Sequence, residues 1–183
     1  MSRLYWIIAS LFVAMATHAG FILFVPTYSF SHSLAQMISD SGSNKFLILP
    51  RESQVRLFPA YPDQSVVGIC AFDVSRQNVQ LTAQMPAGYW TLTIYSGHGD
   101  ALYTANNTQA GTNNFTVGLS LAPGLVEMLQ QSTEKETLSE DTGWSVQSTE
   151  ARGIIVLWSP VVDAAQRPGI VKQMQATSCS AVS

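Results

Sequence analysis

The chain has 183 residues, 46% hydrophobic and 11% charged, and its 9 Lys+Arg against 12 Asp+Glu leave a formal net charge of −3. That balance excludes a nucleic-acid binder that works through a basic surface, and the hydrophobic share excludes a disordered chain. The length suits one domain with its own core.

From Leu4 to Val25 the chain has no Lys, Arg, Asp or Glu. An α-helix needs about 20 apolar residues to cross the roughly 30 Å hydrocarbon core of a bilayer. Residues 1–26 are therefore expected to form a single transmembrane anchor. A cleavable signal peptide is the competing reading: Arg3 gives a basic start, and Ala14-Met15-Ala16 and Thr17-His18-Ala19 are usable cleavage triplets. The apolar run resumes after both triplets, through Phe21 to Val25, and cleavage there would leave an apolar stub. With Arg3 before the span and Lys45 the first basic residue after it, the basic bias places the N-terminus inside and the body outside, periplasmic in a bacterium. Tyr5, Trp6 and Tyr28 flank the run as interfacial anchors. His18 lies within it, where a neutral imidazole facing a partner helix is simpler than a functional ionisable group. Ala9, Ser10, Ala14, Ala16, Ala19 and Gly20 would allow close packing against another span.

Residues 27–44 read as a linker. Phe30 to Met37 has a short helical or interfacial pattern, and Ser39-Asp40-Ser41-Gly42-Ser43-Asn44 is turn chemistry. No polybasic segment follows the anchor, so lipid-headgroup recognition is not indicated. Residues 45–183 form the expected body, and its texture is β. Asn44–Leu49 is a short apolar run before Pro50. Ser65–Val74 is continuously apolar, as in a strand buried on both faces. Val79–Met85 alternates cleanly and is followed by the turn Pro86-Ala87-Gly88. Tyr89–Ser96 alternates again, with Trp90, Leu92 and Ile94 on one face and Tyr89, Thr91, Thr93 and Tyr95 on the other. Gly97-His98-Gly99-Asp100 is a turn, and strands follow at Ala101–Asn107 and Asn113–Leu121.

A helix is expected from Pro123 to Gln131, with Pro123 in its first turn, then a charged surface loop from Glu134 to Asp141. Gly143–Ser148 and Arg152–Val162 return to strand, with Arg152-Gly153 as a hairpin turn. From Ala164 to Cys179 the pattern reads as a short C-terminal helix, broken at Pro168-Gly169, with a frayed tail from Ser180. The fold class expected is mainly β, a β-sandwich or jelly-roll-like body with one or two short helices, behind one transmembrane helix.

Cys70 and Cys179 are too few and too far apart for a zinc site of paired cysteines. Outside the cytoplasm two cysteines suggest one disulfide; two free thiols, Cys70 in a strand and Cys179 exposed, are the alternative. The bridge would close a loop of roughly 110 residues and stabilise the fold by about 4–5 kcal/mol in the chain-entropy account.

Cys70 to Asp73, Tyr89 to Leu92, Tyr103 to Asn106, Arg167-Pro168 and a terminal Cys179 come in an order that resembles the DUF1254 family of small bacterial membrane proteins. The resemblance covers most of the chain, anchor included. Two departures stand out: the order Pro62-Asp63, where the family has Asp-Pro, and a less charged turn at Ser96 to Asp100. It implies a periplasmic β-rich module of unassigned activity, and a DUF1214-type membrane protein as partner.

Trp90, Tyr95, His98, Asp100, Tyr103 and Asn106 form the candidate ligand-binding set. His98 and Asp100 flank Gly99, spaced to share a proton or a metal ion, which is the basis of an alternative reading as a hydrolytic or metal-dependent enzyme. Against it, Gly and Asp belong in tight turns for backbone reasons alone, and the sequence offers no third ligand. There is no G-x-S-x-G elbow and no phosphate-binding glycine loop. Asn106-Asn107-Thr108 and Asn114-Phe115-Thr116 match the N-glycosylation pattern, which the bacterial resemblance makes irrelevant. No catalytic residue, metal or cofactor is assigned. The expected role is a membrane-anchored envelope protein that binds a partner protein or a small ligand.

Overall fold

Two apolar strands, β2 (Ser65–Asp73) and β8 (Arg152–Pro160), lie at the centre of the architecture, paired antiparallel over their full length from Ser65↔Pro160 to Asp73↔Arg152. The structure is a computed structural model that describes residues 2–123 and 143–182. Around that pair a five-stranded sheet forms, with β1 (Lys45–Ile48) outside β2, and β4 (Thr91–Ser96) then β5 (Ala101–Asn106) outside β8. A four-stranded sheet lies against it, in the order β7 (Gly143–Ser148), β6 (Asn114–Leu121), β3 (Asn78–Gln84), β9 (Ser178–Val182). The β6–β7 pair is parallel and every other pair is antiparallel. The body is thus a β-sandwich with short helices, preceded by one long apolar helix.

Alternation sends Val66, Cys70 and Phe72 of β2, Leu92 and Ile94 of β4 and Ile155 and Leu157 of β8 into the space between the sheets. Val79, Leu81 and Ala83 of β3 and Phe115, Val117 and Leu119 of β6 meet them from the other side. Cys70 and Cys179 are bonded across this interior, with Cα atoms 6.5 Å apart, so β2 of one sheet is joined to β9 of the other. The far end is closed by aromatics: Trp90 stacks on Phe115 at 4.9 Å, Phe115 meets Trp144 at 5.1 Å, and Trp144 meets Tyr103 at 6.1 Å.

The outer face of the five-stranded sheet is also apolar, with Val67, Ile69, Ala71, Ile154 and Val156 buried there. This double burial is why β2 and β8 read as continuous apolar runs. What covers them is α1 (Ser2–Ser41), one unbroken helix with Pro26 inside it, together with α2 (Arg51–Leu57). The stretch from 27 to 41 is therefore helix rather than linker. Pro26 removes one backbone hydrogen bond, but Phe30, Leu34, Met37 and Ile38 recur at helical spacing beyond it and pack on the sheet. Only Gly42 to Asn44 separate α1 from β1. Asn44 is hydrogen-bonded in place: its side chain accepts from the Asp73 N–H at 2.8 Å and donates to the Asp73 carbonyl at 3.3 Å.

Three further elements differ from expectation. Arg152-Gly153 is not a hairpin turn but the start of β8, because β7 and β8 belong to different sheets. The short C-terminal helix is not broken at Pro168-Gly169: a 3-10 turn at Ala164–Gln166 leads into α4 (Arg167–Met174), which holds Pro168 in its first turn and ends before Cys179. Cys179 and the expected frayed tail as far as Val182 belong to β9, held by β3 from Thr82↔Ser178 to Asn78↔Val182. A four-residue helix, α3 (Asn107–Ala110), follows β5. The helix expected after Pro123 and the charged stretch from Glu134 to Asp141 fall outside the described residues.

Candidate functional site

The six residues of the expected binding set do not converge. Trp90 is fully buried between the sheets, its ring N–H donating to Asn113 Oδ1 at 3.1 Å. Tyr103 pairs with Ile94 in register, so it too faces the interior, at the closed aromatic end. Asn106 caps α3, its side-chain oxygen accepting from the N–H groups of Thr108 and Gln109 at 3.0 Å each. Tyr95 points to the opposite face of the sheet, beneath α1 and against Phe30.

His98 and Asp100 sit on the β4–β5 turn, which is fastened by Ser96: its hydroxyl accepts from the N–H groups of both residues at 3.2 Å. The His98 ring turns to Glu150 through Nδ1, with side chains 57% and 27% exposed. Asp100 contributes its backbone carbonyl to the turn, accepting from the Ser96 N–H at 2.8 Å. Among the described residues no three His, Cys, Asp or Glu side chains form a group that could hold a metal ion. The pair Asp73–Arg152 closes the same end of the sandwich at 2.9 Å. Burial alone would raise the Asp73 carboxyl, but hydrogen bonds from Ser75 and the Arg152 guanidinium together hold it below the usual carboxylate range.

The turn is pressed against the helix. Gly99 has φ +94, a conformation L side chains rarely adopt, and a Cβ there would come within 3.1 Å of the Phe30 ring. His98 and the helix residues Phe24, Val25, Thr27 and Tyr28 flank an open hollow of about 440 Å³. The turn chemistry thus positions the body on the helix, just beyond the apolar run.

A second concavity lies between α1 and α2, with the outer face of the sheet as its floor. It has two hollows, about 290 Å³ beside Pro26 and Phe30 and about 520 Å³ further along, and both are walled by Ser33, Met37, Arg56 and Leu57. α2 is clipped in place by Gln54, whose amide donates to Ser65 Oγ at 2.6 Å and to the Pro62 carbonyl at 3.2 Å. Two buried polar atoms of this layer, Gln54 Oε1 and Trp158 Nε1, have no hydrogen-bond partner among the described residues. Beside them Tyr61 stacks on Trp158 at 5.7 Å, and burial, with the neighbouring Tyr95 hydroxyl, pushes its phenol up to about 12.

Glu150 and α2 were not expected from the sequence. Glu150 is 52 residues from His98 and meets it only through the strand pairing. For α2 a signal existed: Pro50 at the cap, Glu52 in the first turn and Arg56 in the last.

No family model matches the chain, and no curated protein matches it. In fold it is similar to the VPA0106 protein from Vibrio parahaemolyticus, with a TM-score of 0.60 at 11% identity, over 87% of this chain and 36% of that one. An uncharacterized protein from Burkholderia cenocepacia is similar with a TM-score of 0.47 at 9% identity, over 85% of this chain and 41% of that one. The chain therefore spans well under half the length of either protein, and the likeness to VPA0106 is one of fold.

Proposed function

We propose that the chain is a single-pass envelope protein of the DUF1254 type. The first part of α1 holds it in the bacterial inner membrane, with a cytoplasmic N-terminus and the β-sandwich in the periplasm. The body binds a partner or small ligand there, and its activity is unassigned. The observation that carries this reading is α1 itself: its most apolar stretch has none of its residues buried against the body, while the same helix continues past Pro26 to pack on the five-stranded sheet. An unburied apolar helix of that length needs lipid as its solvent. A periplasmic body also accounts for the Cys70–Cys179 bond.

The hydrolytic or metal-dependent alternative at His98 and Asp100 gains no support from an exposed turn whose histidine faces Glu150. A DUF1214-type membrane protein is the proposed companion. The resemblance to DUF1254 proteins, whose domain keeps company with DUF1214 domains, is what supports a module that works beside a second one. The test is to treat membranes carrying the full chain with alkaline carbonate and to digest spheroplasts with protease. Retention in the pellet and loss of the body to external protease are expected. Release into the supernatant, or a protected body, would overturn the anchoring or the orientation. Co-purification in mild detergent should bring down a membrane protein in stoichiometric amount, and its absence would count against the companion.

A further inference from the structure

We infer that the groove between α1 and α2 takes one anionic lipid molecule from the leaflet that α1 leaves. The inference rests on the anchored reading above and names its ligand class.

Three observations carry it. The first is continuity. The smaller hollow starts at Pro26, one residue past the apolar run, and is walled by Phe30, Leu34, Leu57 and Phe58. With the run in a bilayer, an alkyl chain would pass from the membrane into this hollow along a mainly apolar wall, which would take part of its surface out of water. The second is the change in chemistry along the groove. The larger hollow, further from the run, presents Ser33, Gln36, Ser53 and Arg56 above a floor of Leu47 and Ile69. An amphiphile fits that order, its tail toward the membrane and its head among the hydroxyl, amide and guanidinium groups.

The third is charge and size. Arg56 is the one charged side chain in the lining of either hollow, and neither lining contains Asp or Glu. Among the described residues Arg56 makes no ion pair, unlike Arg51 with Asp63 and Arg152 with Asp73. A guanidinium in such a setting matches a phosphodiester through paired N–H donors. Hollows of about 290 and 520 Å³ hold a lipid head and the upper part of its chains.

The test uses the full chain reconstituted into phosphatidylethanolamine vesicles that contain phosphatidylglycerol with a photoactivatable diazirine on its acyl chain. A parallel set contains the same group on phosphatidylcholine. Labelled peptides are mapped by mass spectrometry. With phosphatidylglycerol, label is expected on Ser33–Met37 and Arg56–Phe58 as well as on the span. Met37→Trp, which fills the groove, should cut the groove label about fivefold and leave the span label unchanged. Arg56→Gln should lower the preference for phosphatidylglycerol over phosphatidylcholine about threefold. If Met37→Trp fails to fold, Ser33→Tyr blocks the same space from the rim and is read the same way.

Label confined to residues 4–25 would overturn the groove site while leaving the anchor standing. Equal groove labelling by both lipids, unaltered in Arg56→Gln, would overturn the anionic head. A co-purifying protein cross-linked in the groove in place of lipid would overturn the ligand class. Failure of the chain to float with vesicles would instead overturn the anchored reading.

Discussion

The two faces of the five-stranded sheet are both buried, but they are buried differently. Between the sheets the large buried side chains are aliphatic or aromatic, one side is cross-linked by Cys70–Cys179, and the other is filled by Trp90, Phe115, Trp144 and Tyr103. Beneath α1 and α2 the floor is equally apolar, yet it is interrupted by Tyr61, Tyr95, Trp158 and the buried amide of Gln54, and it leaves two hollows unfilled. A close-packed interior leaves few voids larger than a water molecule. The inner face is therefore what holds the fold together, and the outer face is the one proposed above to take a ligand. Of the candidate set drawn from sequence, Trp90 and Tyr103 lie on the inner side, while Tyr95 lies beneath α1 and His98 beside that helix; none of the six lines the groove.

The largest expected effect tests whether the inner face carries the stability. Replacing both cysteines by alanine releases a loop spanning 109 positions and should cost about 4 kcal/mol, read from urea unfolding with and without reductant. A loss below about 1 kcal/mol would mean that the two sheets hold without their staple.

Next comes a matched pair of leucines. Leu157, fully buried between the sheets, should lose about 3 kcal/mol on change to alanine, whereas Leu34, 4% exposed under α1, should lose about 2 kcal/mol or less because its surroundings already contain space. Leu34→Ala should also speed amide exchange in residues 30–38 while the strands stay protected. Equal losses and no local exchange effect would erase the distinction between the faces.

These leucines also show how far the sequence reaches. The continuous apolarity of Ser65–Asp73 predicts burial on both faces, and every residue from Ser65 to Phe72 is buried. The alternation in Val79–Gln84 gives the inner face of β3 residue by residue. Local patterns report which face is buried, not what covers it. Hence α1 reads as ending near Pro26, because the docking stripe from Phe30 to Ile38 is sparse and lies beyond a helix breaker. β9 reads as a tail, because Ser178–Val182 is short, carries mostly small side chains and becomes a strand only through β3. The proximity of His98 and Asp100 along the chain suggested a site, but the turn directs the imidazole to Glu150, a partner set by tertiary pairing.

A smaller effect probes the contact between the β4–β5 turn and the helix. Gly99→Val adds a branched side chain at φ +94, where it also meets Phe30. It should cost about 1–2 kcal/mol and increase protease cleavage of the full chain near Pro26. An unchanged cleavage pattern would show that the turn does not brace the helix.

The smallest concerns pH. The folded Tyr61 phenol, raised to about 12, keeps its proton more firmly than the unfolded chain does. Its contribution to stability is thus whole below the ordinary tyrosine value of 10.0 and is lost as pH rises from there toward 12. Unfolding midpoints of the native chain should fall across that window, and Tyr61→Phe should flatten the fall. An identical slope in the variant would place the alkaline sensitivity elsewhere.

The unbroken helix has one more consequence, for how the body explores space. A flexible tether of 18 residues would let a domain wander over about 23 Å, by chain statistics. Here Phe30 is docked on the sheet only five residues past the end of the apolar run, a rise of about 7.5 Å along a helix. With the run in a bilayer, the sandwich is carried at a fixed height, and its azimuth follows the rotation of the span. Encounters with anything else in that membrane then become a two-dimensional search at set elevation, in which turning about the helix axis is the main freedom left.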